Sequence, residues 1–267
     1  MSKATSGGRG TLEAQRSRQE AVARLVLDSG SLPVEVLAKT MGVSTMTIYR
    51  DVATLEEQGL VTLLKGSVFA LASTLNEASA EFRMGENSAI KERFALAVDP
   101  LIPVRATVML DDSTSAIYAV VQLAGQRPLN VITNSLLAAR QLEPLPDVQL
   151  QIIGGEYQKW AQASVGSAAL KQIRDLHADI CIVSTSGIAA GGCFHPYREL
   201  ADVKQAMLAA SETKMLLADG SKFSRRSVHR FADLADFDYL VTDESAPAEA
   251  LAELRGLPGQ LITVAAD

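Results

Sequence analysis

The stretch VSTMTIYRDVATLEEQGLV, residues 43–61, decides the fold of the first part of this chain. Ile48, Val52 and Leu55 recur at the spacing of one helical face, which predicts a helix that packs against a core. Short hydroxyl side chains gather at its start, and Ser44 can cap the first turn. The face opposite the core is therefore available to a partner.

The segments around this helix predict a winged helix-turn-helix domain over residues 12–72. LEAQRSRQEAVARLVLDSG predicts a helix that ends at Gly30, and Pro33 suits the first turn of the next helix, PVEVLAKTMG. A short turn with a glycine then leads into the quoted helix. LVTLLKGSVFAL is typical of two short strands around Lys65 and Gly66, which would form the wing.

The chemistry at the start of the quoted helix suits DNA. The major groove admits one α-helix, and side chains near the N-terminal end of that helix reach the base edges. Arg50 can hold a guanine edge or a phosphate, and short hydroxyls can bond to either. A capped helix with a solvated face is the alternative explanation of the same pattern. The candidate DNA-binding residues are Ser44, Thr45, Thr47, Tyr49 and Arg50.

The composition is that of a globular protein with one large domain or two smaller ones. The chain has 267 residues, of which 48% are hydrophobic and 21% are charged. No apolar run approaches the roughly 20 residues of a membrane helix, and the opening MSKATSGGRG lacks the apolar core of a signal peptide. We therefore expect a cytoplasmic protein without a membrane partner.

The net charge of −6 argues against a general polyanion binder. Residues 1–60 carry seven lysines and arginines and seven aspartates and glutamates, so they are neutral in sum. The acidity therefore belongs to the second part of the chain.

The cysteines and histidines form no recognisable metal or catalytic motif. Cys181 and Cys193 lack a CxxC pair and are expected to be reduced thiols. His177, His195 and His229 are scattered without a shared motif. We predict no metal, no cofactor and no catalytic residue.

A linker is predicted over residues 73–88, and the second domain over residues 89–267. The stretch STLNEASAEFRMGENSAIKERFALAVDPLIP begins polar and becomes helical until Pro100 and Pro103 end the helix. That helix either connects the two domains or is the first helix of the second one, and the sequence leaves both possibilities open.

The rest of the chain alternates short apolar runs with helical segments, which predicts an α/β domain with a mostly parallel sheet. Six predicted strands each end in small or polar residues. They are ATVML (106–110), LNVI (129–132), VQLQII (148–153), ADICIV (178–183), TKMLLA (213–218) and DYLV (238–241).

Polar residues at these strand ends predict one ligand crevice, because ligands of open α/β sheets bind beyond the carboxyl ends of the strands. Hydroxyls and backbone N–H groups at a helix start bind oxyanions, so the turn at Ser113 to Ser115 suits a phosphate. Lys222 would complement that phosphate or polarise a sugar oxygen, and Asn134 offers a polyol both a donor and an acceptor. Helix capping and turn formation are the alternative roles. The candidate effector residues are Asp111, Ser113, Thr114, Ser115, Thr133, Asn134, Ser135, Gly187, Asp219 and Lys222.

The sequence resembles the DeoR family of bacterial sugar-metabolism regulators over about residues 16–265. In the first domain the match runs from RQEAVARLVLDSG to TIYRDVATLEEQGLV, where the family has a Val-Ser pair followed by Thr-Ile-Arg-Arg-Asp-Leu. In the second, MLDDSTS, VITNS, IIGGE, STSGI, ELADVKQAM, ADGSKF and FDYLVTDE follow in the family's order and spacing. The resemblance implies a second domain similar in fold to ribose-5-phosphate isomerase that senses phosphorylated sugars. It also implies that the strand-end serines and threonines, Asn134 and Lys222 contact the effector.

The chain departs from the family pattern in four places. Tyr49 stands where arginine is usual, and the wing LLKGSVFAL lacks the usual arginine and Gly-Gly-Ala. Ser113 replaces a glycine of the phosphate loop, and Ala189 stands where an aspartate often follows Ser-Gly-Ile. These departures bear on wing contacts to DNA and on the choice of sugar.

Three classes of function fit parts of this pattern. A homo-oligomeric repressor, dimer or tetramer, would release operator DNA when a phosphorylated sugar binds. A sugar-phosphate isomerase would need acid and base groups such as Asp111, Asp219 and Lys222, but it has no use for a DNA reader. A DNA-binding protein with a purely oligomerising second domain would not be stabilised by sugar phosphates. We expect the first of these.

Overall fold

The computed structural model describes residues 7–70 and 77–266, and the chain divides between Ser79 and Ala80 into two compact units. Residues 71–72 of the expected DNA-binding domain and 73–76 of the expected linker lie outside the described residues. In the described ranges, no helix combines the length and the apolar character that crossing a bilayer requires.

The N-terminal unit is a winged helix-turn-helix, as predicted. Its described elements are α1 (Gly7–Ser29), β1 (Ser31–Pro33), α2 (Val34–Met41), α3 (Thr45–Glu57), β2 (Val61–Leu64) and β3 (Ser67–Ala70). The strands form an antiparallel sheet in the order β1-β3-β2. Lys65 and Gly66 make the hairpin turn with φ values of 49° and 77°, a conformation that glycine adopts without strain.

Apolar residues from all three helices and the sheet fill the core of this unit. Val22, Leu37, Ile48, Leu55 and Val68 are all completely or almost completely buried. The spacing of Ile48 and Leu55 on α3 is the one that predicted a packed face, so this face is confirmed.

The C-terminal unit alternates helices and strands. Its helices are α4 (Ala80–Gly85), α5 (Ser88–Val98), α6 (Thr114–Ala124), α7 (Leu136–Leu142), α8 (Ser167–Arg174), α9 (Arg198–Ala209) and α10 (Ala248–Arg255). Its strands are β4 (Thr107–Leu110), β5 (Leu129–Thr133), β6 (Val148–Ile152), β7 (Glu156–Gln158), β8 (Ala163–Val165), β9 (Ala178–Val183), β10 (Gly187–Ala189), β11 (Gly192–His195), β12 (Ser211–Leu217), β13 (His229–Asp233), β14 (Tyr239–Asp243) and β15 (Gln260–Val264). Both α4 and the start of α5 lie in the stretch expected to be a linker.

Seven strands form one parallel sheet in the order β15-β14-β12-β9-β4-β5-β6. All of its pairings are parallel, and the six predicted strands are all present. Apolar side chains pack on both faces of the sheet, which is why its strands read as continuous hydrophobic runs. The seventh strand, β15, was not predicted, nor were the small antiparallel pairings β7-β8 and β10-β11-β13.

The order of the strands reverses direction between β4 and β9. From β4 the chain continues outward through β5 and β6, and it then returns to the other side through β9 and β12. The carboxyl ends of strands on the two sides of such a reversal leave a crevice between diverging loops. This topology brings the predicted polar strand ends together at one edge of the sheet.

Candidate functional site

The start of α3 is capped as the sequence predicts. The Ser44 hydroxyl accepts a hydrogen bond from the Thr47 backbone N–H at 3.2 Å and lies 2.9 Å from the Thr47 hydroxyl. This bond satisfies one of the unpaired N–H groups of the first turn and fixes where the helix begins. The Ser44 hydroxyl therefore has a structural role whether or not it contacts DNA.

Most of the predicted DNA-binding residues lie on the exposed face of α3. Ser44, Thr45 and Arg50 are exposed, Thr47 is half-buried, and Tyr49 is 38% exposed. Met46, which sequence reasoning left out, is 63% exposed on the same helical turn. The sequence could have pointed to Met46, because this apolar residue stands between the polar residues of the first turn. A methionine there can contact the methyl group of thymine.

A buried carboxylate on the opposite face fixes α3 against α1. Asp51 is 1% exposed, and its carboxylate accepts hydrogen bonds from Arg18 Nε at 2.6 Å and Gln19 Nε2 at 3.1 Å. The hydrogen bond with Asp51 is also the main cause that raises the pKa of Arg18. Because a buried carboxylate needs partners, this contact restricts the angle at which α3 leaves the core.

The wing is attached to α3 through Glu56. Its carboxylate accepts hydrogen bonds from the Leu63 N–H at 2.6 Å and the Thr62 hydroxyl at 3.2 Å. Leu64 and Phe69 are 58% and 38% exposed on this hairpin. The outer surface of the wing is thus partly apolar, which agrees with its departure from the family pattern.

In the C-terminal unit, the predicted effector residues follow four neighbouring strands of the sheet. Asp111 and the serines after it follow β4, while Thr133 ends β5 and Asn134 comes next. Gly187 comes after β9, within β10, and Asp219 and Lys222 follow β12. Because β12, β9, β4 and β5 are adjacent, these residues share the edge of the sheet where the strand order reverses.

The turn between β4 and α6 is held by an internal network. The Ser113 N–H donates to Asp111 at 2.9 Å, and its hydroxyl donates to the same carboxylate oxygen. The other oxygen of Asp111 pairs with the ammonium of Lys204, and this ion pair is almost completely buried. The Ser113 hydroxyl is therefore engaged with Asp111 rather than with the backbone of α6.

Two basic residues before the sheet reach the same turn. Arg83 of α4 pairs with Asp112 at 3.3 Å, and the Thr114 hydroxyl donates to the Arg83 carbonyl at 3.3 Å. The ammonium of Lys91, from α5, donates to that same carbonyl oxygen. Arg83 and Lys91 thus lie beside the first turn of α6, where the helix dipole favours an anion.

The turn after β5 combines structural hydrogen bonds with one unsatisfied acceptor. Thr133 accepts from the Ser135 N–H at 3.0 Å, and Ser135 caps α7 by accepting from Ala138 N–H at 3.2 Å. Asn134 donates from Nδ2 to the Ser164 carbonyl at 2.9 Å. Its Oδ1 atom is buried and has no hydrogen-bond partner among the described residues. A buried amide oxygen without a partner is costly unless a ligand or water supplies a donor.

The turn after β12 joins the predicted lysine to an aspartate. Lys222 Nζ lies 3.9 Å from Asp219, and the Ser221 N–H donates to Asp219 at 3.0 Å. Burial acts to raise the pKa of Asp219, but Lys222 and the Ser221 hydrogen bonds outweigh it and hold this pKa below its usual value. Asp219 is therefore an ionised acceptor at neutral pH.

Gly187 is required by a close backbone approach. A Cβ atom at this position would lie 2.5 Å from the carbonyl oxygen of Arg225. The chain after Lys222 therefore covers Gly187, and the space beside this glycine is filled by protein backbone. Gly187 therefore allows the backbone at Arg225 to pack against it, which a residue with a side chain would prevent.

Sequence reasoning missed Arg83, Lys91, Asp112 and Lys204. Two of them carried a readable signal, because each lysine occupies the apolar face of its helix. Lys91 shares its face with Phe94, Ala95 and Val98, and Lys204 shares its face with Leu200, Met207 and Leu208. A lysine at such a position is buried, and a buried lysine needs a specific partner.

Together these units define a class of protein. A capped helix with an exposed polar face belongs to the N-terminal unit, and an α/β unit with polar and basic residues at the ends of its strands follows it. This combination is that of a DNA-binding transcriptional regulator with a ligand-sensing domain. Family models agree, because a DeoR-like helix-turn-helix domain matches residues 18–74 and a DeoR C terminal sensor domain matches residues 86–244. The chain belongs to the DeoR family, which consists of transcriptional regulators rather than enzymes.

Individual relatives differ in the regulation that they perform. The glycerol-3-phosphate regulon repressor of Haemophilus influenzae is 31% identical over 86% of this chain and 90% of the relative. The L-fucose operon activator of the same species is 29% identical over 86% of this chain and 92% of the relative. Ribose 5-phosphate isomerase A from Methanocaldococcus jannaschii aligns with 52% of this chain and 55% of its own, at 12% identity and a TM-score of 0.39. A structural likeness this weak carries no conclusion about activity.

Proposed function

We propose that this regulator represses genes of sugar metabolism and that a phosphorylated sugar bound in the C-terminal crevice releases it from operator DNA. The proposal rests on three basic residues that lie close to one another near the first turn of α6, where the order of the strands reverses. Lys222, Lys91 and Arg83 come from three separate segments. Such an arrangement suits a phosphate group, and the neighbouring polar groups suit sugar hydroxyls.

We assign each predicted effector residue a role from the hydrogen-bonding atoms that it has available. The backbone N–H groups at Thr114 and Ser115 and the ammonium of Lys222 bind the phosphate. The Oδ1 atom of Asn134, which is buried without a partner, accepts from a sugar hydroxyl, and so does the carboxylate of Asp219. The Ser113, Thr133 and Ser135 hydroxyls already have partners in their own turns, so they shape the crevice.

At the other end of the chain, α3 enters the major groove of operator DNA. Thr45, Met46, Tyr49 and Arg50 read or position the bases, and Ser44 orients the helix. The protein works in the cytoplasm as a homo-oligomer, because a dimer can place two such helices on the two halves of an operator. The Haemophilus influenzae relatives described above are named a repressor and an activator, and we infer repression from the first of them.

The experiment that tests this function is a thermal-unfolding screen of phosphorylated sugars followed by a mobility-shift assay. An effector should raise the melting temperature and weaken binding to a promoter fragment that the protein retains without effector. The matched unphosphorylated sugars are the control and should do neither. If no sugar phosphate raises the melting temperature, the C-terminal unit serves oligomerisation instead.

A further inference from the structure

Lys91 is a buried lysine in an unusual electrostatic setting. The residue is 5% exposed and shares its face of α5 with Phe94 and Val98. Its ammonium donates to the backbone carbonyl of Arg83, which is a neutral acceptor. Removing an ammonium from water is costly, and a neutral carbonyl offsets less of this cost than a carboxylate would.

The charges around Lys91 add to this cost. Burial lowers the pKa of Lys91 most, the positive charges of Arg83 and Lys222 lower it further, and the result is a pKa of about 7. Asp219, beside Lys222, and Glu86, which follows α4, act in the opposite direction without restoring the ordinary value. Much of the protein therefore carries a neutral Lys91 at the pH of a cell.

A bound dianion would reverse this balance. Arg83 and Lys222 repel the ammonium of Lys91 in the protein without ligand, and a dianion between them would attract all three groups. The charged form of Lys91 would then be favoured, so a proton would move from solvent to the amine nitrogen. This step forms one N–H bond and needs no other reactant.

We propose that Lys91 is an anion-binding residue of the effector site and that it takes up a proton from solvent when a dianionic phosphate group binds. The inference rests on the proposed function, since it places the effector phosphate beside the first turn of α6. It adds to that function a linkage: the effector binds more tightly at acidic than at alkaline pH. A lysine that only supports the Arg83 carbonyl would show no such linkage.

The test is calorimetric titration of the full-length protein with sulfate, which remains a dianion throughout the neutral range. Any proton taken up then goes to the protein and not to the ligand. Titrations at pH 8 in two buffers of different ionisation enthalpy give the number of protons. We expect about 0.9 proton per sulfate at pH 8, about 0.1 at pH 6, and roughly tenfold weaker binding at pH 8 than at pH 6.

Two variants make the assignment specific. Lys91→Met keeps the length of the side chain and should abolish proton uptake, whereas Lys171→Met, at an exposed position of α8, should leave it unchanged. Saturable sulfate binding without proton uptake in the wild-type protein would overturn the role of Lys91 alone. Absence of saturable binding in the wild-type protein would overturn both this inference and the phosphate site of the proposed function.

Discussion

Lys204 and Asp111 form an ion pair that is almost completely removed from solvent, with side chains 3% and 0% exposed. The pair joins α9 to the end of β4 and lies directly beneath the turn that begins α6. Lys204 Nζ also lies 3.7 Å from Asp112 and 5.8 Å from the centre of the Phe231 ring. Lys204 is thus shared by both carboxylates of this turn, and Asp112 also pairs with Arg83.

Lys204→Met should lower the free energy of unfolding of the C-terminal unit by about 3–5 kcal/mol, because it leaves Asp111 buried without its partner. Urea unfolding without ligand measures the change, and Lys171→Met is the exposed control. Adding Asp111→Asn to Lys204→Met should recover part of the loss, since position 111 is then neutral and Asp112 keeps its ion pair with Arg83. An equal loss in the exposed control would show that the ion pair has no special role.

Asp51→Ala should destabilise the N-terminal unit by about 1–3 kcal/mol, because Arg18 and Gln19 lose a shared acceptor. The same change should weaken operator binding, since the orientation of α3 depends on this contact. Thermal unfolding and mobility shifts measure the two effects. Unchanged stability would mean that apolar packing alone orients the helix.

Arg50→Ala should weaken operator binding by about 1–3 kcal/mol if Arg50 reads a base, without changing the affinity for effector. The side chain is exposed on the reading face of α3 and belongs to the N-terminal unit. Mobility shifts at fixed salt measure the loss, and Arg174→Ala in the C-terminal unit is the matched control. An operator affinity equal to that of the wild type would remove Arg50 from the reading surface.

Lys222→Ala should make the regulator uninducible. A sugar phosphate releases operator only through its higher affinity for the state that binds DNA weakly, and losing the ammonium should remove that difference. Calorimetry with the effector from the thermal screen, followed by operator-release assays, checks this result. Normal ligand affinity and release would place the phosphate elsewhere in the crevice.

Stability should rise with pH between about 7 and 8.5 because of Lys91. Its folded-state pKa of about 7 lies below the ordinary value of 10.5, so in this window the unfolded chain binds more protons than the folded one. The contribution is roughly 1.4 kcal/mol per pH unit at most. Lys91→Met should remove this slope in urea-unfolding experiments, and an unchanged slope would contradict the assignment.

The upper limit of that window has its own physical reason. Burial raises the pKa of the Cys193 thiol to about 12, and it also raises the pKa of the Cys181 thiol. Unfolding lets both thiols ionise above about pH 8.5, so at higher pH they reduce the stability of the folded state. The effect of Lys91 is therefore measured below this range.

Local pattern was sufficient for most of the secondary structure. The packed face of α3, the turn at Lys65 and Gly66, and the six predicted strands follow from periodicity and turn chemistry, which act over a few residues. The strand β1 was missed because Ser31–Pro33 has no strand signal of its own and becomes a strand only by pairing with β3. The strand β15 does carry a strand signal, because the β-branched run QLITV follows Pro258 and Gly259, and the prediction overlooked it.

The sequence by itself determined which strand ends carry polar groups, because those residues directly follow apolar runs. It could not show that Arg83, Lys91 and Lys204 meet there, since these residues come from α4, α5 and α9. Their proximity depends on how the helices pack against the sheet, and the burial that perturbs Lys91 depends on the same packing. Charge interactions act through space, so only the tertiary structure decided which cations lie near one another and which of them has a lowered pKa.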